Sequence, residues 1–332
     1  MDYSIIVCTY NQEDRLLDRC LKAIKLLKKV NLTSEVIIVD NNSKIPLTER
    51  LSITKVVDEN PGWKIIRVSE QGLVMARIAG MKEARGKYIV FVDDDNEPDI
   101  DYLLHLNALW NSYPEVGAWG PGTIEVDFVD GVESRHEKEL RPIFQEKKSS
   151  HVEFAMIREW QECYPYGTGM SLKKDLCRHY IDGIEEGRLT LMGRTGNRAT
   201  SGDDTQMVMT IIAQGQAAGT SPSLRIKHMI TASKLNPDYL KKLAFGTSCC
   251  YHLFHVEVLP EYSEKFLNGT RRRSKSREFK LLKEFYKLQF KPDLFRTLRL
   301  IESVGQICGE FYGNKLEVPP FYERLVKKLV PE

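Results

Sequence analysis

Short apolar runs alternate with longer amphipathic segments through the first third of the chain. The pattern predicts strands at SIIVCTY (4–10), EVIIVDN (35–41), WKIIRVSE (63–70) and YIVFVDDD (88–95), with helices over LLDRCLKAIKLLKK and LVMARIAGMKEAR. The apolar runs are continuous rather than alternating, which indicates strands that are covered on both faces. We therefore expect an α/β fold with a mostly parallel, Rossmann-like sheet flanked by helices.

The middle of the chain is less regular. Further elements are predicted as strands at GAWGPGTIEV (117–126) and SLRIKHMI (223–230), a polar loop over 127–150, a glycine-punctuated turn into a helix at YGTGMSLKKD (166–175), and a loop and helix at SGDDTQMVMTIIAQG (201–215). From about Asn236 onward strand patterns disappear, and the chain becomes helical, basic and aromatic. We expect a main domain over 1–235, with halves of about 1–98 and 99–235, and a helical C-terminal region over 236–332.

Composition adds few constraints. The 332 residues include 48 Lys+Arg and 46 Asp+Glu, so a formal net charge of +2 gives no global field for nucleic acid. Seven cysteines without CxxC spacing favour reduced thiols over disulfides or a zinc site. We see no secretion signal and no run of about 20 apolar residues, and we expect a cytoplasmic protein, at most peripheral at the inner face of a membrane.

Polar side chains directly follow three of the predicted strands. They are Thr9, Tyr10 and Asn11 after the first strand, Asp40 and Asn42 after the second, and Asp93, Asp94 and Asp95 after the fourth. Because ligands of open α/β sheets bind outside the carboxyl ends of the strands, we expect one shared crevice. Crowded carboxylates repel one another unless they bind a cation or stay hydrated, which favours Mg²⁺ or Mn²⁺ shared with substrate phosphates. A solvated acidic turn is the alternative.

The ordered set SIIVCTYN, EVIIVDNNS and QGLVMARIAGMKEARGKYIVFVDDDNEP resembles glycosyltransferase family 2, whose inverting nucleotide-sugar enzymes have the GT-A fold. The resemblance covers residues 4–98 and continues more loosely to about 230. It implies a metal-dependent hexosyltransferase that moves a sugar, most often from a UDP-sugar, to a glycan or lipid-linked acceptor in surface polysaccharide or glycoconjugate biosynthesis. A non-catalytic module that binds nucleotide-sugar or glycan with the same fold is the alternative.

The resemblance also implies roles for single residues on the donor side. Nucleotide or donor binding falls to Thr9, Tyr10, Asn11, Asp40, Asn42, Gly72, Arg77, Asp93 and Asp94. Asp93 and Asp95 form the family's Asp-x-Asp pair and are the expected metal ligands, with His228 as a further ligand. A core or surface role is the alternative for this histidine. Ile78 follows Arg77 where the family often has asparagine, which puts the contact of that asparagine in question.

Two later segments complete the implied catalytic set. The segment YGTGMSLKK resembles the acceptor loop, which assigns Gly167, Thr168, Gly169 and Met170 to the acceptor, with a plain turn as the alternative. The segment SGDDTQM resembles the pair that supplies the general base, with Asp204 as the expected base and Asp203 in the place of a glutamate. Capping of helix 205–214 by Ser201 or an aspartate is the alternative.

The implied reaction is a single displacement with inversion. The metal and Arg77 neutralise charge on the departing nucleoside diphosphate, while Asp204 takes a proton from the attacking acceptor hydroxyl. In the tail, the basic run Arg271 to Lys283 precedes the aromatic FYKLQF. It could lie on an anionic membrane surface, but we favour packing of its apolar side onto the catalytic domain or a second subunit in a homo-oligomer. No nucleic-acid recognition motif accompanies it.

Overall fold

The computed structural model describes residues 1–193, 201–263 and 275–331. The strands are β1 (Tyr3–Thr9), β2 (Ser34–Asp40), β3 (Trp63–Arg67), β4 (Tyr88–Phe91), β5 (Asn96–Pro98), β6 (Val116–Phe128), β7 (Lys147–Lys148), β8 (Glu153–Ala155), β9 (Ser171–Lys173) and β10 (Ala217–Ile230). The helices are α1 (Asp14–Lys25), α2 (Leu51–Asp58), α3 (Leu73–Glu83), α4 (Tyr102–Ser112), α5 (Ser134–Ile143), α6 (Cys177–Glu185), α7 (Asp203–Ala213), α8 (Pro237–Cys249), α9 (Tyr251–Val258), α10 (Lys275–Phe290), α11 (Leu294–Gly313) and α12 (Pro320–Leu329).

Within the described residues, ten strands form one sheet with the main order β3-β2-β1-β4-β9-β6-β10-β5. The strands β3, β2, β1 and β4 run parallel, as do β6 and β10, and β9 lies antiparallel between the two groups. Successive residues of β1 enter different cores, with Ile6 in one and Ile5 and Val7 in the other. The predicted mostly parallel sheet with both faces covered is therefore confirmed.

Two predictions for the middle of the chain were wrong. The supposed polar loop over 127–150 contains α5 and β7, and the supposed turn over 166–175 contains β9. The strand β9 is only three residues long, and its Ser171 and Leu172 are fully buried between β4 and β6. Such a short strand forms because remote strands pair with it, so it leaves no periodic signal of its own.

The acidic segment after β4 is fixed by an antiparallel contact with β10. Asn96 of β5 lies opposite His228, and the Met229 amide donates to the Asp95 carbonyl at 2.8 Å. Asn96 also closes the turn before it, since its amide donates to the Asp93 carbonyl at 2.9 Å. The end of β4 is thereby held beside the end of β10.

The C-terminal helices pack on the sheet domain and on one another. Cys249 of α8, Phe254 of α9 and Cys250 between the two helices belong to the same buried cluster as residues of β1, β2 and β4. The apolar side of α10 packs on α11 and α12 through buried Leu281, Phe285 and Leu288, and Leu282 is half-buried. Packing of the apolar side is thus observed, while residues 271–274 of the basic run lie outside the described residues. No described helix has the length and apolarity needed to cross a bilayer.

Candidate active site

A cleft with a volume of about 360 Å³ opens at the carboxyl ends of β1, β2 and β4. It brings together most of the predicted site residues from separate parts of the chain. These are Thr9, Tyr10, Arg77, Asp93, Asp94, Asp95, Gly167, Thr168, Asp203, Asp204 and His228. The strand-end segments, the predicted acceptor loop and the start of α7 therefore share one cleft.

The other predicted residues are described by the structure but do not line the cleft. Asn11 and Asn42 adopt left-handed turn conformations, with φ of 52° and 61°. The buried Asp40 carboxylate accepts hydrogen bonds from the Ser43 amide at 2.9 Å and the Leu47 amide at 3.1 Å. Asp40 therefore organises the loop after β2, and its oxygens are engaged by backbone rather than directed into the cleft.

Asn41 is the residue of this loop that reaches the cleft. Its side-chain oxygen accepts from the Gly72 amide at 2.8 Å, and its side-chain nitrogen donates to the Glu70 carbonyl at 2.9 Å. The predicted donor residue Gly72 thus stands beside the start of α3, where it positions Asn41.

Gly169 and Met170 anchor the predicted acceptor loop to the core. The Gly169 carbonyl accepts from the Tyr102 hydroxyl at 2.6 Å, and a Cβ at Gly169 would lie 2.2 Å from the Ile226 side chain. Gly169 also has φ of 69°, so both space and backbone conformation require glycine there. Met170 is fully buried. Gly167 and Thr168 are the members of the predicted loop that line the cleft.

Arg77 of α3 joins the two sides of the cleft. Its Nη1 lies 2.6 Å from Asp203 Oδ2, and its Nη2 lies 3.5 Å from Asp93 Oδ1. The guanidinium is almost fully buried. Burial alone lowers the pKa of Arg77, but the carboxylates of Asp203, Asp93 and Asp204 raise it above its ordinary value, so the group stays charged.

Asp204 lies at the N-terminus of α7 and beside the predicted acceptor loop. Its Oδ2 accepts from the Gly167 amide at 2.8 Å, and its Oδ1 accepts from the Thr205 amide at 2.8 Å. Gly202 occupies the N-cap position with φ of 100°, and no side chain caps the helix. The capping alternative for Ser201 is therefore not observed. Two backbone donors and the helix N-terminus instead hold the Asp204 carboxylate in one orientation.

The aspartates after β4 have different surroundings. Asp94 accepts from the Gln12 side-chain nitrogen at 2.7 Å, and burial together with the neighbouring Asp95 charge raises the pKa of Asp94 to about 7. Asp95 Oδ2 forms an ion pair with Lys234 and lies 3.7 Å from His228 Nε2. Burial alone raises the pKa of Asp95, but Lys234 and His228 lower it below its usual range.

The imidazole ring of His228 lies between the Phe144 carbonyl and the Asp95 carboxylate. Its Nδ1 lies 3.0 Å from the Phe144 carbonyl oxygen and donates to it, and its Nε2 faces Asp95 Oδ2, so Nε2 would be a metal ligand in the form of the ring that has no Nε2 proton. Asp95 and His228 thus offer one oxygen and one nitrogen that a divalent cation accepts. Among the described residues, no three His, Cys, Asp or Glu side chains form a complete metal site.

The charge of the cleft also favours a cation. Among its described lining residues, five carboxylates stand against two basic side chains, Arg77 and Lys234. This negative excess weakens the attraction of the cleft for an anionic diphosphate, and a divalent ion would offset it. The residues therefore fit a divalent cation, which Asp95 and His228 alone would coordinate only in part.

A second cavity of about 470 Å³ adjoins the cleft and shares four lining residues with it, Gln145, Ser201, Asp204 and His228. Trp160 and Tyr166 line one wall, with ring centroids 6.3 Å apart and ring planes at 29°. The opposite wall comes from the C-terminal helices and includes Leu243, Thr247, Tyr251, Glu302 and Gln306. This cavity was not predicted from the sequence, because no motif marks contacts between such distant segments.

Comparisons with known proteins agree with this fold. The mannosyltransferase PcManGT from Pyrobaculum calidifontis, solved with GDP-Man and Mn²⁺, has a TM-score of 0.52 at 17% identity, over 94% of this chain and 86% of that chain. GalNAc-T7, solved with UDP, GalNAc and Mn²⁺, has a TM-score of 0.50 at 15% identity, over 74% of this chain and 47% of that chain. These likenesses show the GT-A fold.

Two sequence matches complete the comparison. The mouse protein named inactive polypeptide N-acetylgalactosaminyltransferase-like protein 5 is 29% identical over 109 residues, which are 32% of this chain and only a quarter (25%) of that relative. The family model described as "Glycosyl transferase family 2" matches residues 4–181, more than half of the chain. The chain therefore belongs to glycosyl transferase family 2, as its strand-end motifs predict.

Proposed function

We propose that the protein is a metal-dependent, inverting hexosyltransferase that moves a sugar from a UDP-sugar to a hydroxyl of a glycan or lipid-linked saccharide. We place this reaction on the cytoplasmic side of surface polysaccharide or glycoconjugate biosynthesis. The observation that supports a transferase most directly is the position of Asp204, which lines both the cleft and the second cavity. A base at that junction can meet an acceptor on one side and a donor on the other.

The cleft is the proposed donor side. Thr9, Tyr10 and Asn41 form the wall available to the base and ribose. When bound, a divalent cation held by Asp95 and His228 would supply a Lewis acid for the departing diphosphate. Arg77 keeps Asp93 fixed and places a permanent positive charge on the same side. Solved relatives with UDP or GDP-Man and Mn²⁺ support this arrangement for the family's fold.

The second cavity is the proposed acceptor side. Its Trp160 and Tyr166 rings offer a flat apolar wall on which the C–H face of a sugar can rest, and Thr247 and Gln306 offer hydrogen-bonding groups. Asp204 would take the proton of the attacking hydroxyl, and its fixed orientation favours one direction of attack. Only one base is needed, because a nucleoside diphosphate leaves without protonation by an acid. Attack from the opposite face inverts the configuration.

A non-catalytic binding module is the second candidate. The mouse relative with 29% identity carries the word "inactive" in its name, although the match covers only 109 residues. Such a module would bind the nucleotide-sugar in the same cleft without consuming it.

The test combines turnover and binding with a panel of UDP-sugars and GDP-mannose, each with Mn²⁺ or EDTA. Released nucleoside diphosphate reports turnover, and the rise in melting temperature reports binding. We expect Asp204→Asn to lose about 10²–10⁴-fold in turnover, as for other general bases, and to keep nucleotide binding. Asp238→Asn is the control, because Asp238 pairs with Lys241 on α8 outside the cleft.

The outcomes separate the candidates. Unchanged turnover in Asp204→Asn excludes Asp204 as the base. Nucleotide binding without hydrolysis or transfer in the unmodified protein supports the binding module instead. Nuclear magnetic resonance of the product should show an anomeric configuration opposite to that of the donor, and retention would refute the single displacement.

A further inference from the structure

Lys234 is a residue of the cleft to which the family resemblance gives no role. It lies in the short 3₁₀ turn Ala232–Leu235 directly after β10. Its ammonium pairs with Asp95 Oδ2, the same oxygen that faces His228 Nε2 at 3.7 Å. The side chains of Lys234 and Asp95 are only 20% and 9% exposed, so this ion pair is well shielded from water. Lys234 thus holds the oxygen to which a divalent cation would bind.

Both oxygens of Asp95 are already engaged by the chain. Oδ1 accepts from the Asn96 side-chain nitrogen at 3.1 Å, and Oδ2 is held by Lys234. A divalent cation at Asp95 must therefore displace the ammonium or share one oxygen with it. Two like charges at a shielded oxygen repel strongly, so displacement is favoured.

The cleft also offers few positive charges for a diphosphate. Arg77 is the other basic side chain among the described lining residues, and its guanidinium already contacts Asp203 and Asp93. Lys234 has a flexible stem and three donors, and it needs to move only within the cleft to reach a phosphate near Asp95. Its charge remains at the site whether or not a metal is present.

We propose that Lys234 is a built-in cation of the donor site, which binds the diphosphate of the nucleotide and competes with a divalent cation for Asp95. The protein then binds a nucleoside diphosphate without metal, and the cation strengthens this binding. The identity of the ligand rests on the proposed function.

The experiment compares the full-length protein with Lys234→Met in two calorimetric titrations. The first adds Mn²⁺ alone, and the second adds UDP or GDP in EDTA and then in Mn²⁺. Without the competing ammonium, Lys234→Met should bind Mn²⁺ about tenfold more tightly. It should lose at least about tenfold in UDP affinity in EDTA, because a charge-assisted contact to phosphate is gone.

Three further variants separate charge from folding. Lys234→Arg keeps the charge and should stay close to the unmodified protein in both titrations. Lys234→Gln provides a second neutral variant where methionine disturbs the turn. Lys241→Met removes a lysine that pairs with Asp238 at 3.0 Å outside the cleft, and it should change neither titration. Circular dichroism and melting temperature establish that each variant is folded.

Unchanged Mn²⁺ and UDP affinities in a folded Lys234→Met overturn the proposal. So does a protein that binds UDP or GDP only with Mn²⁺, although that result leaves the proposed function intact. If neither nucleotide binds under either condition, the proposed function fails together with the diphosphate role of Lys234. The Mn²⁺ titration needs no nucleotide, so it still decides whether Lys234 competes with the cation.

Discussion

Arg77→Met should destabilise the fold as well as impair the cleft. The side chains of Arg77 and Asp203 are 4% and 6% exposed, and their closest atoms are 2.6 Å apart. Methionine retains much of the volume of arginine but removes the guanidinium from beside the buried Asp203 carboxylate. Loss of one member of such a pair leaves the other charge desolvated, which costs about 3–5 kcal/mol in the free energy of unfolding.

Substitution of the carboxylate partner, Asp203, should reduce the free energy of unfolding by less. In Asp203→Asn the guanidinium still has Asp93 at 3.5 Å, so we expect a loss of about 1.5–3 kcal/mol, the size of a single hydrogen bond to a charged group. The double variant removes both charges, and its loss should fall short of the sum of the single losses by about 2 kcal/mol, a coupling energy typical of groups in direct contact.

Urea denaturation at neutral pH, followed by circular dichroism, measures all three losses. Lys82→Met is the matched control, because Lys82 pairs with Glu185 where the side chains are 52% and 47% exposed. That exposed pair should contribute less than about 1 kcal/mol. A loss below about 1 kcal/mol in Arg77→Met, or strictly additive losses in the double variant, would refute the assignment of Arg77 as a buried electrostatic centre.

Two further predictions concern pH and membranes. Burial raises the pKa of Glu35, but hydrogen bonds from Ser4 and Arg85 lower it below its ordinary value of 4.5. The ionised carboxylate therefore stabilises the fold above pH 4.5, and this stabilisation is lost as the pH falls through the lowered pKa. The melting-temperature difference between the unmodified protein and Glu35→Gln should therefore shrink below pH 4.5, and a constant difference would contradict this. On α10, Phe279 and Phe290 are 68% and 88% exposed within a basic segment. Changing both to serine should weaken co-sedimentation with anionic lipid vesicles several-fold, whereas equal sedimentation of both proteins would exclude contact through these rings.

The polar residues at the strand ends could be predicted because each lies next in sequence to the apolar run that marks its strand. Each of β1, β2 and β4 is a mostly apolar run, and the residues that reach the cleft lie at its carboxyl end or directly after it, as Thr9 ends β1 and Tyr10 follows. Parallel pairing then aligns the strand ends without further information from the sequence. The same argument places Asp93 and Asp95 at that edge, whatever binds there.

Other parts of the site depend on distant contacts that leave no local pattern. The strand β9 has three residues and exists through its pairing with β4 and β6. Lys234 lies in a short turn after β10, and its place in the site depends on an ion pair with Asp95, which lies 139 positions earlier. The second cavity likewise forms only because α8 and α11 lie beside Trp160. Neither periodicity nor motif spacing indicates which of these distant segments come into contact.

The three consecutive aspartates show why an acidic cluster is not one electrostatic unit. Asp93 faces Arg77, Asp95 faces Lys234 and His228, and Asp94 is half-buried beside Gln12 with its pKa raised. Each carboxylate therefore has its own compensation, although they are adjacent in the chain. A cation that approaches this edge competes with a fixed guanidinium at Asp93 but with a movable ammonium at Asp95. Because the Lys234 ammonium can leave Asp95 more easily than the Arg77 guanidinium can leave Asp93, we expect the metal and the nucleotide to bind at Asp95.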